Sequence, residues 1–403
     1  MGAPAPRSSS ARAAVVAALA LAGAVGVAGG AGCKDAPTVS RSPAAPSRPA
    51  ADPVDPPAPA SAPASAAATA PASPGTAVPG ARVTWFPPTA EIGAHVAFLA
   101  DPALRGRGSG TPDEAAAADK IAAWFREAGL EPAGPGGGYL APFTAGDVHS
   151  QNVVGVIRGS DPGAGHVIIG AHLDHLGVIG GAIYPGADDN ASGVAGLCAI
   201  AAALAHAGQR PRPTVVVVAF GAEEVGLLGS QAYVDAPVLP LDRAIVMINL
   251  DMIGRARFLS GELYALAHTI VPDDAIGILT SEGADDLVAR ARAAARTVHR
   301  PLVSADDFGP LERVVRPQIE TRGDQASFSA AGVRYLWLST SMHDDYHRPT
   351  DTADKVDPAT IAAVGRIVVE LVLALPDALP DALPAALPDA PPTATVRAPT
   401  APP

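Results

Sequence analysis

The chain has 403 residues and a formal net charge of -12, from 28 basic and 40 acidic residues. This acidic balance argues against a nucleic-acid partner, which would require a basic face. The chain has only 2 cysteines, so it cannot form a disulfide framework or a cysteine metal site. Any bound metal must therefore use nitrogen and oxygen ligands.

The first 33 residues have the pattern of an export signal. Arg7 and Arg12 precede an apolar run that stops at Cys33, which is the order of a charged n-region and an apolar h-region. Small residues before the cysteine resemble a bacterial lipoprotein signal, although Gly30 departs from the branched residue usual there. We expect an exported chain with a lipid anchor at Cys33, and otherwise a periplasmic or secreted protein or one with a transmembrane anchor.

Composition separates the ends of the chain from its middle. Residues 34–81 are rich in Pro, Ala and Ser, which predicts a disordered linker because such sequence buries too little apolar surface. Residues 377–403 continue a short ALPD repeat into Pro, Thr and Ala, and are predicted to be a disordered tail. Residues 82–376 are long enough to form one domain with a large core.

Within this middle segment, strand-like and helix-like patterns alternate. We predict helices over 90–101, 112–129, 190–208, 283–300 and 358–375. We predict strands over 151–159, 166–172, 215–220, 244–250 and 333–340, the first two as a hairpin or neighbouring strands. The alternation predicts an α/β fold with a mostly parallel mixed sheet covered by helices on both faces.

Histidines and acids stand where several of the apolar runs end. The candidate metal ligands are His172, Asp189, Glu224, Asp251 and His347. The carboxyl ends of parallel strands meet at one edge of a sheet, so these distant side chains are expected to converge. Three carboxylates leave about one positive charge on two dications, which a bridging hydroxide would neutralise while serving as the nucleophile.

Each candidate also has a structural interpretation when it is taken alone. An isolated histidine is more often a surface or core residue, and the pair Glu223–Glu224 is more often a solvated acidic pair. The joint pattern in order favours the metal site. Four further residues near the motifs are interpreted as loop residues: His175, His343, Asp344 and Asp345.

Five segments resemble the motifs of metallopeptidase family 28, the co-catalytic di-zinc aminopeptidases. They are GAHLDHLG, PGADDNASGVAG, AFGAEEVGLLGSQAYV, LDMIGR and DDYHRPTDT. The stretches LRGRGSGT (104–111) and FREAGLEPAG (125–134) resemble the lead-in to that family. The resemblance covers most of residues 90–375 and implies a single zinc-exopeptidase-like domain.

The resemblance also implies a role for each ligand. His172 and Asp251 would bind one zinc ion, Glu224 and His347 would bind the other, and Asp189 would bridge both. Two Zn²⁺ per chain are therefore expected, although Co²⁺ and Mn²⁺ accept the same donors.

Two further carboxylates acquire roles by the same resemblance. Glu223 would be the general base that takes a proton from water and delivers it to the leaving amine. Asp174 would hydrogen-bond His172 from behind and fix its orientation. A cis peptide bond between Asp189 and Asn190 is also implied.

These roles predict an exported aminopeptidase that removes N-terminal residues from peptides. A carboxypeptidase or a single-zinc glutaminyl cyclase of the same fold is an alternative, as is a non-catalytic peptide-binding surface lipoprotein.

Asp324, before Gln325, is expected to support the pocket. Loops 252–280 and 303–330 are predicted to form the specificity pocket with Phe258, Tyr264, Phe308 and Phe328. The sequence leaves the oligomeric state open.

Overall fold

The computed structural model describes residues 83–161, 163–257, 271–307, 312–340 and 342–375. The predicted signal, linker and tail lie outside the described residues. The α-helices are α1 (Thr89–Leu99), α2 (Pro112–Glu127), α3 (Gly193–Ala205), α4 (Leu228–Asp235), α5 (Asp285–Thr297), α6 (Glu312–Glu320), α7 (Gln325–Ala330) and α8 (Pro358–Leu373). Shorter helical turns span Pro102–Arg107, Ala187–Ser192, Leu241–Arg243 and Ala353–Lys355.

The strands form a large sheet and a small separate hairpin. They are β1 (Glu131–Pro132), β2 (Leu140–Ala145), β3 (Val148–Ile157), β4 (His166–His172), β5 (Gly177–Ile179), β6 (Ala182–Tyr184), β7 (Thr214–Phe220), β8 (Ala244–Leu250), β9 (Ile276–Thr280), β10 (Leu302–Ser304) and β11 (Tyr335–Ser339). The large sheet has the order β1-β3-β7-β4-β8-β11-β9-β10, and β2 also pairs with β3. Strands β5 and β6 form the hairpin.

The centre of the large sheet is parallel, and an antiparallel pair lies on each side of it, β3 with β7 and β9 with β11. Strand β4 runs parallel to both β7 and β8, and β8 runs parallel to β11. The prediction that β3 and β4 are neighbours is wrong, because β7 lies between them. Val154 of β3 faces Val218 of β7, and Ile168 of β4 faces Val216 of β7. The turn pattern between β3 and β4 indicated a chain reversal but did not specify which strand fills the gap.

Alternate residues of the central strands enter two separate cores. Val215 and Val217 of β7 belong to the larger core, which includes residues of α1, α2, α3, α5 and α8. Val216 and Val218 belong to the smaller core, which includes residues of α4 and α7. This alternation follows from the two-residue period of a strand. The predicted α/β sheet flanked by helices on both faces is confirmed.

Local signals define the ends of two of the helices. Helix α2 begins after Thr111, whose hydroxyl accepts the backbone N–H of Glu114, and ends before Gly129, which adopts a φ of 81°. Helix α8 begins after Asp357, whose carboxylate accepts the backbone N–H of Ala359. Among the helices described, none is both long and apolar enough to span a membrane.

Candidate metal centre

The five predicted ligands meet at the carboxyl edge of the central parallel strands. His172 is the last residue of β4, and Asp251 directly follows β8. Glu224 lies in the turn after β7, and His347 lies in the turns that follow β11. Asp189 lies in the helical turn Ala187–Ser192, which leads into α3. The structure therefore brings all five side chains to one place.

His172, Asp189 and Asp251 form a first donor group. The Nε2 atom of His172 lies 3.3 Å from Oδ1 of Asp189 and 3.6 Å from Oδ1 of Asp251. Atoms bound to one zinc ion in tetrahedral geometry lie about 3.3–3.6 Å apart, given bonds of about 2.0–2.2 Å. The spacing of this group fits one divalent cation.

Asp189, Glu224 and His347 form a second donor group. The Nε2 atom of His347 lies 3.2 Å from Oδ2 of Asp189 and 3.4 Å from Oε2 of Glu224. The two oxygens of Asp189 thus face different groups, as a bridging carboxylate requires. Oε1 of Glu224 is buried without a hydrogen-bond partner. A second cation would fit these donors and satisfy that oxygen.

The histidines of both groups carry raised pKa values. For His172, burial alone would lower the pKa, but the charge of Glu223 and contact with Asp189 raise it well above its ordinary value. For His347, contacts with Asp189 and Glu224 likewise outweigh burial and raise the pKa to about 10. A raised pKa means that each imidazole holds its added proton more strongly than a free histidine does. Cations would bind in place of these protons.

The loop that carries Asp189 is fixed by its neighbour Asn190, and the peptide bond between them is cis, as the resemblance implied. The side-chain amide of Asn190 donates to the carbonyl of Leu250 over 2.9 Å. Its oxygen accepts the backbone N–H groups of Gly193 and Met252. These bonds tie the Asp189 loop to the end of β8, which places Asp189 beside Asp251.

Asp174 does not hydrogen-bond His172 through its carboxylate, so that prediction is wrong. Its Oδ1 lies 3.8 Å from Nδ1 of His172, whereas the backbone carbonyl of Asp174 lies 3.2 Å from the same nitrogen. The carboxylate instead accepts the backbone N–H groups of Glu223 and Glu224 and the hydroxyl of Ser109. These donors engage both oxygens of Asp174, and the backbone carbonyl of Asp174 accepts a hydrogen bond from Nδ1 of His172. Nε2 of His172 is then left to face the acids.

Glu223 lines the same cavity as the ligands. The cavity has a volume of about 320 Å³ and is lined by His172, Asp189, Glu223, Glu224, Gly226, Leu227, Asp251, Met252, Arg322, Tyr346 and His347. Withdrawal from water, together with the nearby charge of Glu224, raises the pKa of Glu223 well above its ordinary value. A carboxyl group with a raised pKa is suited to accepting and releasing a proton near neutral pH.

His175 lies in the segment between β4 and β5, as its interpretation as a loop residue predicts, but its side chain lies at the site. It is fully buried, and its Nδ1 lies 2.8 Å from Oε1 of Glu224. His343 and Asp345 pair elsewhere, with Asp188 and Lys355 respectively. In the part of the chain that the structure describes, two clusters of side chains could hold a metal ion, and neither contains His343, Asp344 or Asp345; the clusters are His172 with Asp189 and Asp251, and His175 with Asp189 and Glu224. The HxDH spacing from His172 to His175 was the one sequence signal for the missed residue.

Among the predicted specificity residues, the structure describes Phe328 alone, and Phe328 does not line the cavity. Phe258, Tyr264 and Phe308 lie outside the described residues. Phe328 is fully buried in the smaller core, where its ring lies 5.9 Å from that of Phe220. Phe328 is not accessible to substrate there, because α7 places its ring in the smaller core between the helix and the sheet.

Asp324 and Gln325 do not line the described cavity. Asp324 is fully buried, its oxygens have no hydrogen-bond partner, and burial raises its pKa to about 7. The oxygen of Gln325 accepts the amide of Asn249 over 2.7 Å. Gln325 therefore joins α7 to β8.

The fold and the site together define an α/β protein with a candidate metal centre at the carboxyl edge of its sheet. The sequence profile of peptidase family M28 matches residues 152–372, and the chain belongs to this family.

Two relatives and one solved structure show how far the similarity extends. The aminopeptidase YwaD of Bacillus subtilis (strain 168) is 28% identical over 229 residues, which cover 55% of this chain and 44% of that protein. The probable glutamate carboxypeptidase AMP1 of Arabidopsis thaliana is 33% identical over 215 residues, covering 49% of this chain and 28% of that protein. The chain thus spans less than half the length of either relative.

The solved structure is that of BSAP, a zinc aminopeptidase from Bacillus subtilis. It superposes with a TM-score of 0.52 at 19% identity, covering 70% of this chain and 94% of that one. At this identity the likeness establishes the fold alone.

Proposed function

We propose that the chain is an aminopeptidase that removes N-terminal residues from peptides with two zinc ions. The ions would be held by His172, Asp189, Glu224, Asp251 and His347. The observation that carries the proposal is the position of Asp189, whose two oxygens face two separate donor groups. Bound there, two zinc ions would polarise the scissile carbonyl and lower the pKa of a water molecule.

Glu223 performs the proton transfers in this proposal. Its carboxylate lines the cavity beside both donor groups, takes a proton from the attacking water and gives it to the leaving amine. Asp174 acts as a positioning residue, since it holds the backbone N–H groups of Glu223 and Glu224. The turn after β7 thus presents a ligand and a base from consecutive residues.

The acids of the cavity support an N-terminal substrate. Asp189, Glu223, Glu224 and Asp251 all line it, and a free α-ammonium group is attracted to such a negative surface. The name of YwaD, an aminopeptidase, supports the same substrate class.

A carboxypeptidase is the second candidate, because Arg322 also lines the cavity. A guanidinium group binds a carboxylate through two parallel hydrogen bonds, so Arg322 would suit a C-terminal carboxylate. One relative is named a probable glutamate carboxypeptidase. Glutaminyl cyclisation, which needs one zinc ion, is the alternative if a single cation binds.

A substrate panel tests these candidates. The full-length protein is incubated with aminoacyl anilides, with their N-acetylated forms, and with N-acetylated peptides that have a free C-terminus. The proposal predicts cleavage of the free-amine anilides alone, loss of activity with a chelator and recovery with zinc. Cleavage of only the N-acetylated peptides indicates a carboxypeptidase. Failure of the zinc-loaded protein to cleave any of them contradicts the proposed function.

A further inference from the structure

A third histidine lies beside the second donor group. His175 follows the end of β4 and is fully buried. Its Nδ1 lies 2.8 Å from Oε1 of Glu224 and 3.8 Å from Oδ2 of Asp189. Its ring meets the ring of His347 edge to face, with the centroids 5.7 Å apart. His175 therefore approaches the same point as Asp189, Glu224 and His347.

The contact between His175 and Glu224 does not have the geometry of a hydrogen bond. Both ring nitrogens of His175 and Oε1 of Glu224 are buried without a hydrogen-bond partner, although the two side chains are close. A ring nitrogen directs either its N–H or its lone pair outward in the plane of the ring. Because no hydrogen bond forms at this short distance, that outward direction from Nδ1 of His175 passes beside Oε1 of Glu224. A buried polar group left unsatisfied costs about 1–3 kcal/mol, and a cation between the two atoms would satisfy both.

The surrounding backbone holds the ring in this position. The backbone N–H of His175 donates to the carbonyl of Arg107. Gly186 adopts a φ of 58°, and a Cβ there would lie 2.4 Å from Cγ of His175. The guanidinium of Arg107 donates to the carbonyls of Leu173 and Gly186. The chain on both sides of the ring is thus fixed, and the glycine leaves room for the imidazole.

We propose that His175 is a further ligand of the cation held by Asp189, Glu224 and His347. This inference rests on the proposed metal centre. The second position then has four protein donors, whereas the first has three. A neutral imidazole adds a donor atom to the second position without changing the net charge of its ligands. The second position therefore binds its cation more tightly than the first position does.

A cobalt titration of the metal-free full-length protein tests this ligand. The wild type is compared with His175→Ala, His175→Asp and His166→Ala, with visible absorption and a competing chelator as readouts. The carboxylate of Asp has an oxygen about as far from Cα as Nδ1 of histidine, so His175→Asp replaces the donor. His166 is the matched control, because it is buried at the opposite end of β4, about 20 Å away along the strand.

The wild type and His166→Ala should bind cobalt in a tight and a weaker phase. His175→Ala should weaken the tight phase by more than about 100-fold, beyond the 10–100-fold typical of residues that only support a ligand, and should change its absorption. His175→Asp should restore tight binding. Wild-type affinity and absorption in His175→Ala would overturn this inference and leave the proposed function intact. Absence of cobalt binding by the wild type would overturn both.

Discussion

The carboxylate of Asp351 accepts the backbone N–H of Asp189 over 3.1 Å, although the two residues are 162 positions apart. The same oxygen accepts the backbone N–H of Asp188, and the other oxygen forms an ion pair with Arg255 at 2.6 Å. Asp351 is fully buried. The loop that presents Asp189 is therefore held by Asp351, whose ion pair with Arg255 is largely withdrawn from water.

Replacing Asp351 with alanine should destabilise the protein and weaken its metal centre. The change leaves two buried N–H groups unsatisfied and removes a buried partner of Arg255, which predicts a loss of about 3 kcal/mol. Zinc affinity should fall about 10–100-fold, because the Asp189 loop loses its support. Urea unfolding and zinc competition measure both effects. Asp354→Ala, an exposed change in the same segment, is the control, and equal behaviour of the two variants would refute this role.

Glu223→Gln should retain zinc and lose most turnover. Glutamine has nearly the same shape as glutamate, but it cannot take a proton from water. We expect kcat to fall about 10²–10⁴-fold, the range of general acid–base catalysis. Steady-state kinetics and elemental analysis check this prediction. Glu224→Gln is the contrast, since it should lose zinc as well; an unchanged kcat in Glu223→Gln removes that residue from the mechanism.

The acid stability of the protein should depend on His166. Burial and the charge of Arg243 lower its pKa from 6.5 to about 4. Between these values the unfolded chain takes up a proton that the folded chain does not, so stability falls as the pH falls. His166→Leu should lose less stability than the wild type between about pH 7 and about pH 5 in urea unfolding. Part of the dependence should remain, because His95 has a similarly lowered pKa. Parallel pH profiles for the two proteins would show that His166 has no such effect.

Phe328→Ala should reduce stability without changing substrate preference. Its ring packs against Phe220 and Tyr233, and loss of a buried phenylalanine costs about 3–5 kcal/mol. Chemical unfolding measures the cost, and kcat/KM ratios across the anilide panel measure preference. A changed kcat/KM ratio with unchanged stability would contradict this account and would indicate that Phe328 lines the substrate pocket.

The parts predicted from the sequence are those with a strong local pattern. The apolar runs 215–220 and 244–250 are the central strands β7 and β8. The carboxyl ends of parallel strands meet at one edge of a sheet, and this rule predicted that the five candidate ligands lie together. Strand pairing was harder, because the turn between β3 and β4 does not show that β7 separates them.

Orientation of individual side chains was not predictable from spacing. His175 follows a strand and has the pattern of a loop residue, yet Gly186 and Arg107 turn its ring toward Glu224. Asp174 was expected to face His172, but the nearby backbone N–H groups of the turn after β7 attract its carboxylate. Both outcomes depend on contacts between segments that are distant in sequence.

The number of zinc ions retained per folded chain tests the central claim most directly. Elemental analysis after zinc loading and desalting should find two ions in the wild type, one in Asp251→Asn and at most one in Asp189→Asn, because Asp189 faces both donor groups. One ion in the wild type, or two ions in Asp189→Asn, would contradict a shared two-metal centre.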